Sequence, residues 1–343
     1  IQVEETHIST VFLTGDFVYK IKKPVDFGFL DYTTLEKRQR YCKQEVLLNK
    51  RLSENVYLDV VPITKEPTGY ALNGPGKTVE YAVKMRQLPK ENTMLQMLRR
   101  GEFNLNMLGE LVQMLVRFYQ RTEKGPEIDA MGSRELIWVN IEEDFIQTNP
   151  FVSDILDRMQ FSELHRRVRT FLNSKAKLFD RRIKSGCIRD CHGDLRLGHI
   201  YFVDSISIID CIEFNERFRY GDLISDLAFL AMDLDYNGFA DIGQELLAEY
   251  AQWADDPDIF LLVDFYKCYR AHVRCKVECL RYGTGDLSAP EADLAKVRAQ
   301  SYFELAWRYA DTFSRQTIWI VCGLSGSGKS TIAAELKKLM NLQ

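Results

Sequence analysis

The sequence has no stretch approaching the roughly 18 apolar residues that a membrane-crossing helix needs, so no membrane partner is expected. Neither sign of charge dominates. Forty-five Lys and Arg stand against 49 Asp and Glu, a net charge of −4, which gives no global attraction to nucleic acid or an anionic bilayer. The eight cysteines show no disulfide or finger spacing. Cys187 and Cys191 invite a metal reading, but no second pair completes four ligands. Cys268, Cys275 and Cys279 fall on one face of a predicted helix, as buried free thiols do. A reducing, cytoplasmic setting suits this pattern. There is no internal repeat and no charged-then-apolar leader. The chain starts at Ile1 instead of Met, and it reads as a piece of a longer protein, not as a secreted one. What remains, 46% hydrophobic and 27% charged over 343 residues, is the balance of a globular protein large enough for two lobes.

The order of patterns divides the chain at about residue 88. Residues 6–23 read as two β-rich strands around Thr14-Gly15-Asp16, followed by a helix from Thr34 to about Leu52. Tyr57–Thr64 and Thr78–Met85 read as further strands with a Gly/Pro-rich hairpin between them. Beyond Pro89, helical periodicity dominates: Met94–Arg99, Leu105–Thr122, Phe151–Leu156, Phe161–Lys184, Gly221–Asp233, Gly243–Trp253, Ile259–Tyr282 and Glu291–Phe313. Only HIYFV and ISIIDCIEF interrupt it, as short extended segments after Cys191.

That interruption carries the chemistry. In CHGDLRLGHIYFVDSISIIDCIEF an aspartate, Asp194, follows His-Gly; His199 stands five positions on; and Asp210 closes the next apolar strand. Phosphoryl transfer to a hydroxyl needs one carboxylate to orient and deprotonate the acceptor. It also needs ligands to hold a metal against the phosphates, and a hairpin brings such groups together. The segment resembles the catalytic loop of aminoglycoside, choline and related small-molecule kinases, which runs HGD, L, three residues, Asn, an apolar strand, then ID. The resemblance spans residues 6–312 and implies a bilobal, protein-kinase-like α+β fold: a small antiparallel lobe with one helix over residues 1–88, and a mainly helical lobe over residues 89–312.

By that resemblance Asp194 is the catalytic base, Asp210 a Mg²⁺ ligand, and Asp226 in SDLAFL a buried buttress of the loop. Lys20 is the phosphate-positioning lysine, with Lys22 on the same strand face as the alternative, and Glu45 is its helix partner. The connector around Met85, Arg86 and Leu88 meets the adenine of ATP. His199 replaces the usual Asn as second metal ligand, a substitution that suits Mn²⁺ better than Mg²⁺. No G-x-G-x-x-G precedes Lys20, so either the first strand lies upstream of Ile1 or the phosphate-covering turn is glycine-poor. Glu213, Glu216, Asp233 and Asp235 are open to two readings, as recognition of a cationic hydroxyl acceptor or as solvated surface.

A second phosphate motif closes the chain. GLSGSGKS, with Gly323, Ser325, Gly326, Gly328, Lys329 and Ser330 followed by Thr331, satisfies the P-loop pattern after the predicted strand TIWIVC and before a predicted helix. The order resembles bacterial bifunctional aminoglycoside phosphotransferase/ATP-binding proteins. By that likeness residues 313–343 are the opening strand, loop and helix of an incomplete P-loop domain. Two further functions stay open: a nucleotide-binding regulator with weak catalysis, and a protein kinase or self-phosphorylating regulator of the P-loop partner.

Overall fold

The computed structural model describes residues 1–28, 30–315 and 320–339. Its first lobe is a six-stranded antiparallel sheet built from β1 (Gln2–Glu5), β2 (Ser9–Leu13), β3 (Phe17–Lys22), β4 (Tyr57–Glu66), β5 (Gly69–Leu72) and β6 (Lys77–Arg86), in the order β1-β2-β3-β6-β4-β5. The β2–β3 hairpin turns at Gly15, whose φ of +103° suits only glycine. One helix, α1 (Leu35–Asn49), packs on the sheet; Thr34 caps it by accepting the Lys37 N–H at 3.3 Å. Lys20 lies opposite Val11 and Val83, and the two-residue repeat of a strand puts Lys20 and Lys22 on the same face.

The strand β1 was not anticipated. It is joined to β2 by a turn at Thr6, His7 and Ile8, closed by Thr6 N–H to Ser9 O at 2.9 Å. Thr6 therefore opens a turn, not a strand.

The second lobe runs α2 (Met94–Arg100), α3 (Leu105–Arg121), α4 (Pro126–Ala130), α5 (Arg134–Thr148), α6 (Arg158–Ser174), α7 (Ala176–Lys184), β7 (Ile188–Asp190), β8 (Ile200–Phe202), β9 (Ile206–Ile208), α8 (Glu216–Arg219), β10 (Tyr220–Asp222), α9 (Leu223–Tyr236), α10 (Ala240–Ala254), α11 (Ile259–Gly283) and α12 (Ala289–Ser314). α9 is its axis, with Leu223 to Leu234 all buried. A helix enclosed on every side shows no polar face. Truncating Leu227 there should cost about 2–5 kcal/mol.

Two helical expectations fail and one helix was missed. Phe151–Leu156 is a short turn tied by a Val152–Leu156 bridge. Phe161–Lys184 is two helices separated at Lys175. α5 went unread because it exposes Val139 and Ile146 while burying Asp144 and Thr148, which blurs its apolar stripe.

The lobes are joined beneath α1. Leu52 enters the large helical core, its carbonyl accepts the Ile208 N–H at 3.0 Å, and Asn49 Oδ1 accepts the Cys211 N–H at 2.9 Å. Arg51 reaches Asp190 at 3.0 Å and the Cys191 carbonyl at 3.1 Å. These contacts fix the helix bearing Glu45 to the segment bearing Asp210. The terminal segment differs. Of its predicted strand, residues 317–319 lie outside the described residues and Ile320–Cys322 form no strand, so only the glycine-rich loop and α13 (Lys329–Leu339) match expectation.

Candidate active site

Between the lobes lies a cavity of about 930 Å³. The β1–β2 hairpin roofs it, residues 85–91 form one wall, and Lys20, Asp194, His199 and Asp210 converge in its depth. The wall segment is already partly committed. The Arg86 N–H bonds the Val56 carbonyl at 2.8 Å and the Gln87 N–H bonds Asp16 O at 2.9 Å. The Arg86 and Gln87 N–H groups are therefore spent inside the protein, whereas the Leu88 N–H has no protein partner among the described residues.

Lys20 Nζ lies 2.9 Å from Glu45 Oε1 and 2.9 Å from Asp210 Oδ1. Burial opposes charge on this lysine, but Asp210 and Glu45 outweigh it and raise its pKa. Burial likewise opposes ionisation of Asp210; Lys20 and His199 prevail and hold its carboxyl below the usual range. Asp210 sits at φ +61°, a left-handed conformation that aspartate tolerates better than most side chains, and its N–H donates to Tyr57 Oη at 3.2 Å.

The loop around Asp194 is held from behind. Buried Asp226 accepts the His192 N–H at 2.6 Å and the Gly193 N–H at 2.8 Å, which is the buttress expected of it. Gly193 has φ +86°, and a Cβ there would meet Phe218 O and Ile212 Cδ1 at 3.0 Å, so the central glycine of HGD is obligatory. His192 Nε2 pairs with Ile209 O at 3.0 Å while Nδ1 accepts the Asp194 N–H at 3.3 Å. Burial, aided by His199, pushes its pKa down to about 3, so it is a neutral strut joining the loop to the strand before Asp210.

Arg196, two positions after Asp194, was overlooked. Its Nε and a terminal nitrogen grip both Asp194 oxygens at 2.7 and 3.0 Å, and the same terminal nitrogen reaches His199 Nε2 at 2.9 Å. His199 Nδ1 faces Asp194 O at 3.0 Å. This pattern assigns the proton to Nδ1 and the lone pair to Nε2. Burial and Arg196 lower the His199 pKa, so the ring is neutral. Burial would raise the Asp194 pKa, but Arg196 and His199 override it and the carboxyl titrates below its usual range.

The second lysine is also engaged. Lys22 bonds Glu45 Oε2 at 2.7 Å and Glu213 more tightly, and Tyr32 Oη donates to Glu213 at 2.5 Å. Glu45 thus holds both lysines. Glu213 is neither solvated nor open to a cationic acceptor, because it pins the segment after Asp210 to the small lobe. Asp233 accepts the Leu197 N–H at 2.9 Å, and Asp235 pairs with Lys267 and Tyr309, each at 2.5 Å; only Glu216 is exposed.

Outside this cleft, Gly326 and Gly328 take φ of +80° and +77°, and Lys329 Nζ folds back to Leu324 O at 2.5 Å. Gly323, Ser325, Ser330 and Thr331 are exposed.

No protein-family model matches the chain. It is 34% identical over 344 residues to uncharacterized proteins of Mycobacterium tuberculosis and Mycobacterium bovis, a match covering 100% of this chain and 66% of theirs. The chain therefore spans just under two thirds of the length of the curated relatives it matches. Among solved structures it is similar to a choline/ethanolamine kinase family protein from Mesorhizobium loti, with TM-score 0.51, 13% identity, and coverage of 91% of this chain and 92% of that one. A microcompartment-associated aminopropanol kinase superposes with TM-score 0.51 at 15% identity (91% and 92%), and choline kinase from Streptococcus pneumoniae with 0.51 at 13% (89% and 93%). The chain has the bilobal kinase-like fold.

Proposed function

We propose that the chain is an ATP-dependent phosphotransferase that moves the γ-phosphoryl group to a hydroxyl of a small molecule. The observation that carries this reading is the convergence of Lys20, held by Glu45, with Asp194 and Asp210 in one interlobe cavity beside a wall with a free backbone donor. Lys20 would meet the α- and β-phosphates, giving up Asp210 as they arrive, and Leu88 N–H would bind the adenine edge. Asp194 would take the acceptor's proton. Because Arg196 occupies both its oxygens, Arg196 has to swing toward the γ-phosphate first, a move that also supplies positive charge where it is needed.

Asp210 fits a magnesium ligand: one oxygen contacts Lys20 and its side chain is 38% exposed. His199 fits less well, since its lone pair points at Arg196 and becomes available only when that arginine leaves. When bound, magnesium would neutralise charge on the phosphates as the phosphoryl group moves; Mn²⁺ would suit His199 better. By the same reasoning Lys329 and Ser330 would serve phosphate in a completed P-loop domain of the longer protein.

A protein kinase is disfavoured, because only α8 and β10 separate Asp210 from α9 and leave little platform for a peptide. A catalytically weak nucleotide-binding regulator is the second reading, favoured by the closed Arg196–Asp194 pair. Acceptor-dependent ADP release across polyols, sugars, hydroxy acids and amino alcohols separates the two. Nucleotide binding without release in either Mg²⁺ or Mn²⁺ would leave the regulator.

A further inference from the structure

The acceptor side of the cavity, between the Asp194 loop and α11, is more basic than a site for amines should be. Four cations border it: Arg196, Arg270, Arg274 and Lys276. The carboxylates that border it with them are already matched. Asp194 is held by Arg196, Asp144 by Lys276 at 2.5 Å, and Glu213 by Lys22. Arg270 and Arg274 are left over. Arg270 is only 7% exposed, yet it reaches no carboxylate within 4.0 Å among the described residues. Its Nε bonds the Ser225 carbonyl and hydroxyl at 3.3 and 3.2 Å, and its terminal nitrogens have no hydrogen-bond partner among the described residues. Asp226 and Asp144 feel it at longer range, but each is bonded elsewhere. Arg274, one turn further along α11, meets Glu278 at the long distance of 3.6 Å and lies over the Tyr302 ring at 5.6 Å, and its Nε is buried without a partner. It is close enough to lower the pKa of Asp194.

The aromatic rings here do not form a cage for an ammonium group. Arg270 lies over Phe229 at 4.9 Å and Tyr269 at 5.4 Å, and Arg217 lies over Phe218 at 5.0 Å, so the protein's own guanidinium groups cover these rings. A buried guanidinium without a counter-ion is costly, and a planar fork suits a carboxylate or phosphate.

Resting on the phosphotransferase reading, we infer that the hydroxyl acceptor carries an anionic group, a carboxylate or a phosphate ester, that seats on Arg270 and Arg274 while its hydroxyl faces Asp194. The small-molecule selectivity of this cleft is then set by α11, and by charge of the sign opposite to that of an amino alcohol.

The test uses sulfate as a probe, titrated calorimetrically into the chain saturated with a non-hydrolysable ATP analogue and magnesium, so that the nucleotide phosphate positions are filled. Arg274→Gln should weaken sulfate binding at least tenfold while nucleotide affinity and the melting temperature stay within error. Arg270→Lys, which keeps the charge but loses the fork, should weaken it less. In parallel, glycerate and glycerol phosphate should drive ADP release where glycerol, ethanolamine and choline do not, with the loss in Arg274→Gln appearing in KM. Sulfate affinity unchanged by Arg274→Gln, or turnover of ethanolamine at a KM indifferent to it, overturns the inference. Asp194→Asn reports on the parent reading separately: it should stop ADP release while leaving sulfate binding intact. Release that persists in that variant defeats the kinase assignment, whatever the arginines do.

Discussion

Two segments of this chain advertise phosphate chemistry, and the structure treats them in opposite ways. The HGD loop is wrapped: Asp226 and His192 brace its backbone, α9 lies behind it, and Asp194 is gripped by Arg196. The GLSGSGKS loop keeps its left-handed glycines, but Gly323–Gly328 and Ser330 are exposed and, among the described residues, its lysine bonds only the loop's own carbonyl. A motif states which chemistry a segment is capable of. Packing decides whether its groups are held at a fixed distance from one another, and catalysis depends on that distance.

The sharpest way to break the contrast is at the base. Asp194→Asn should lower acceptor-dependent turnover by about 10²- to 10⁴-fold with nucleotide affinity retained, measured by ADP release; an unchanged rate would remove the cleft from the chemistry. Next is the charge network beneath it. Lys22→Met leaves buried Glu213 without a cation and Glu45 with Lys20 alone, and should cost about 3–5 kcal/mol in denaturant unfolding. A loss below 1 kcal/mol would mean that those carboxylates escape to water.

Acid should reveal the wrapped histidines. His192 and His272 are both pushed down from 6.5 to about 3 by burial, so the folded form keeps them neutral while the unfolded chain takes up protons below pH 6.5. Their contribution is complete above that value and falls away as pH drops toward 3. His272→Gln should flatten the pH dependence of stability in this window by about one proton; an identical slope would show that His272 titrates normally. Arg196→Gln should move the acid limb of kcat/KM upward, because the cation holding the Asp194 carboxyl low is gone, and an unmoved limb would show that another group sets it. The smallest effect belongs to the exposed loop. Lys329→Ala should change neither the melting temperature nor cleft turnover, and a loss of activity there would couple the two regions.

Much of this was readable in advance. Lys20, Glu45, Asp194, Asp210 and Asp226 stand in an order and spacing that strand and hairpin geometry converts into proximity: Lys20 meets Glu45 and Asp210, Asp194 lines the same cavity, and Asp226 lies behind its loop. The unread residues divide in two. Glu213 and Arg270 take their roles from partners 191 and 45 positions away, Lys22 and Ser225, whereas Arg196 went unread although Asp194 and His199 lie only two and three positions from it. A charged residue read alone looks like solvated surface. α5 and the short β1 went unseen because their apolar periodicity is weak, and tertiary neighbours supply what local pattern lacks.

The linear order of residues was enough to indicate a small sheet followed by helices, two aspartates at either end of a short hairpin, and a glycine-rich turn at the end, since each depends on local periodicity or on a fixed short spacing. Which lysine meets Asp210, which acids are spent on neighbouring cations, and which arginines stay unmatched beside Asp194 were decided only by folding. Charge pairing is a through-space balance struck between segments far apart in the chain, and no local pattern records it.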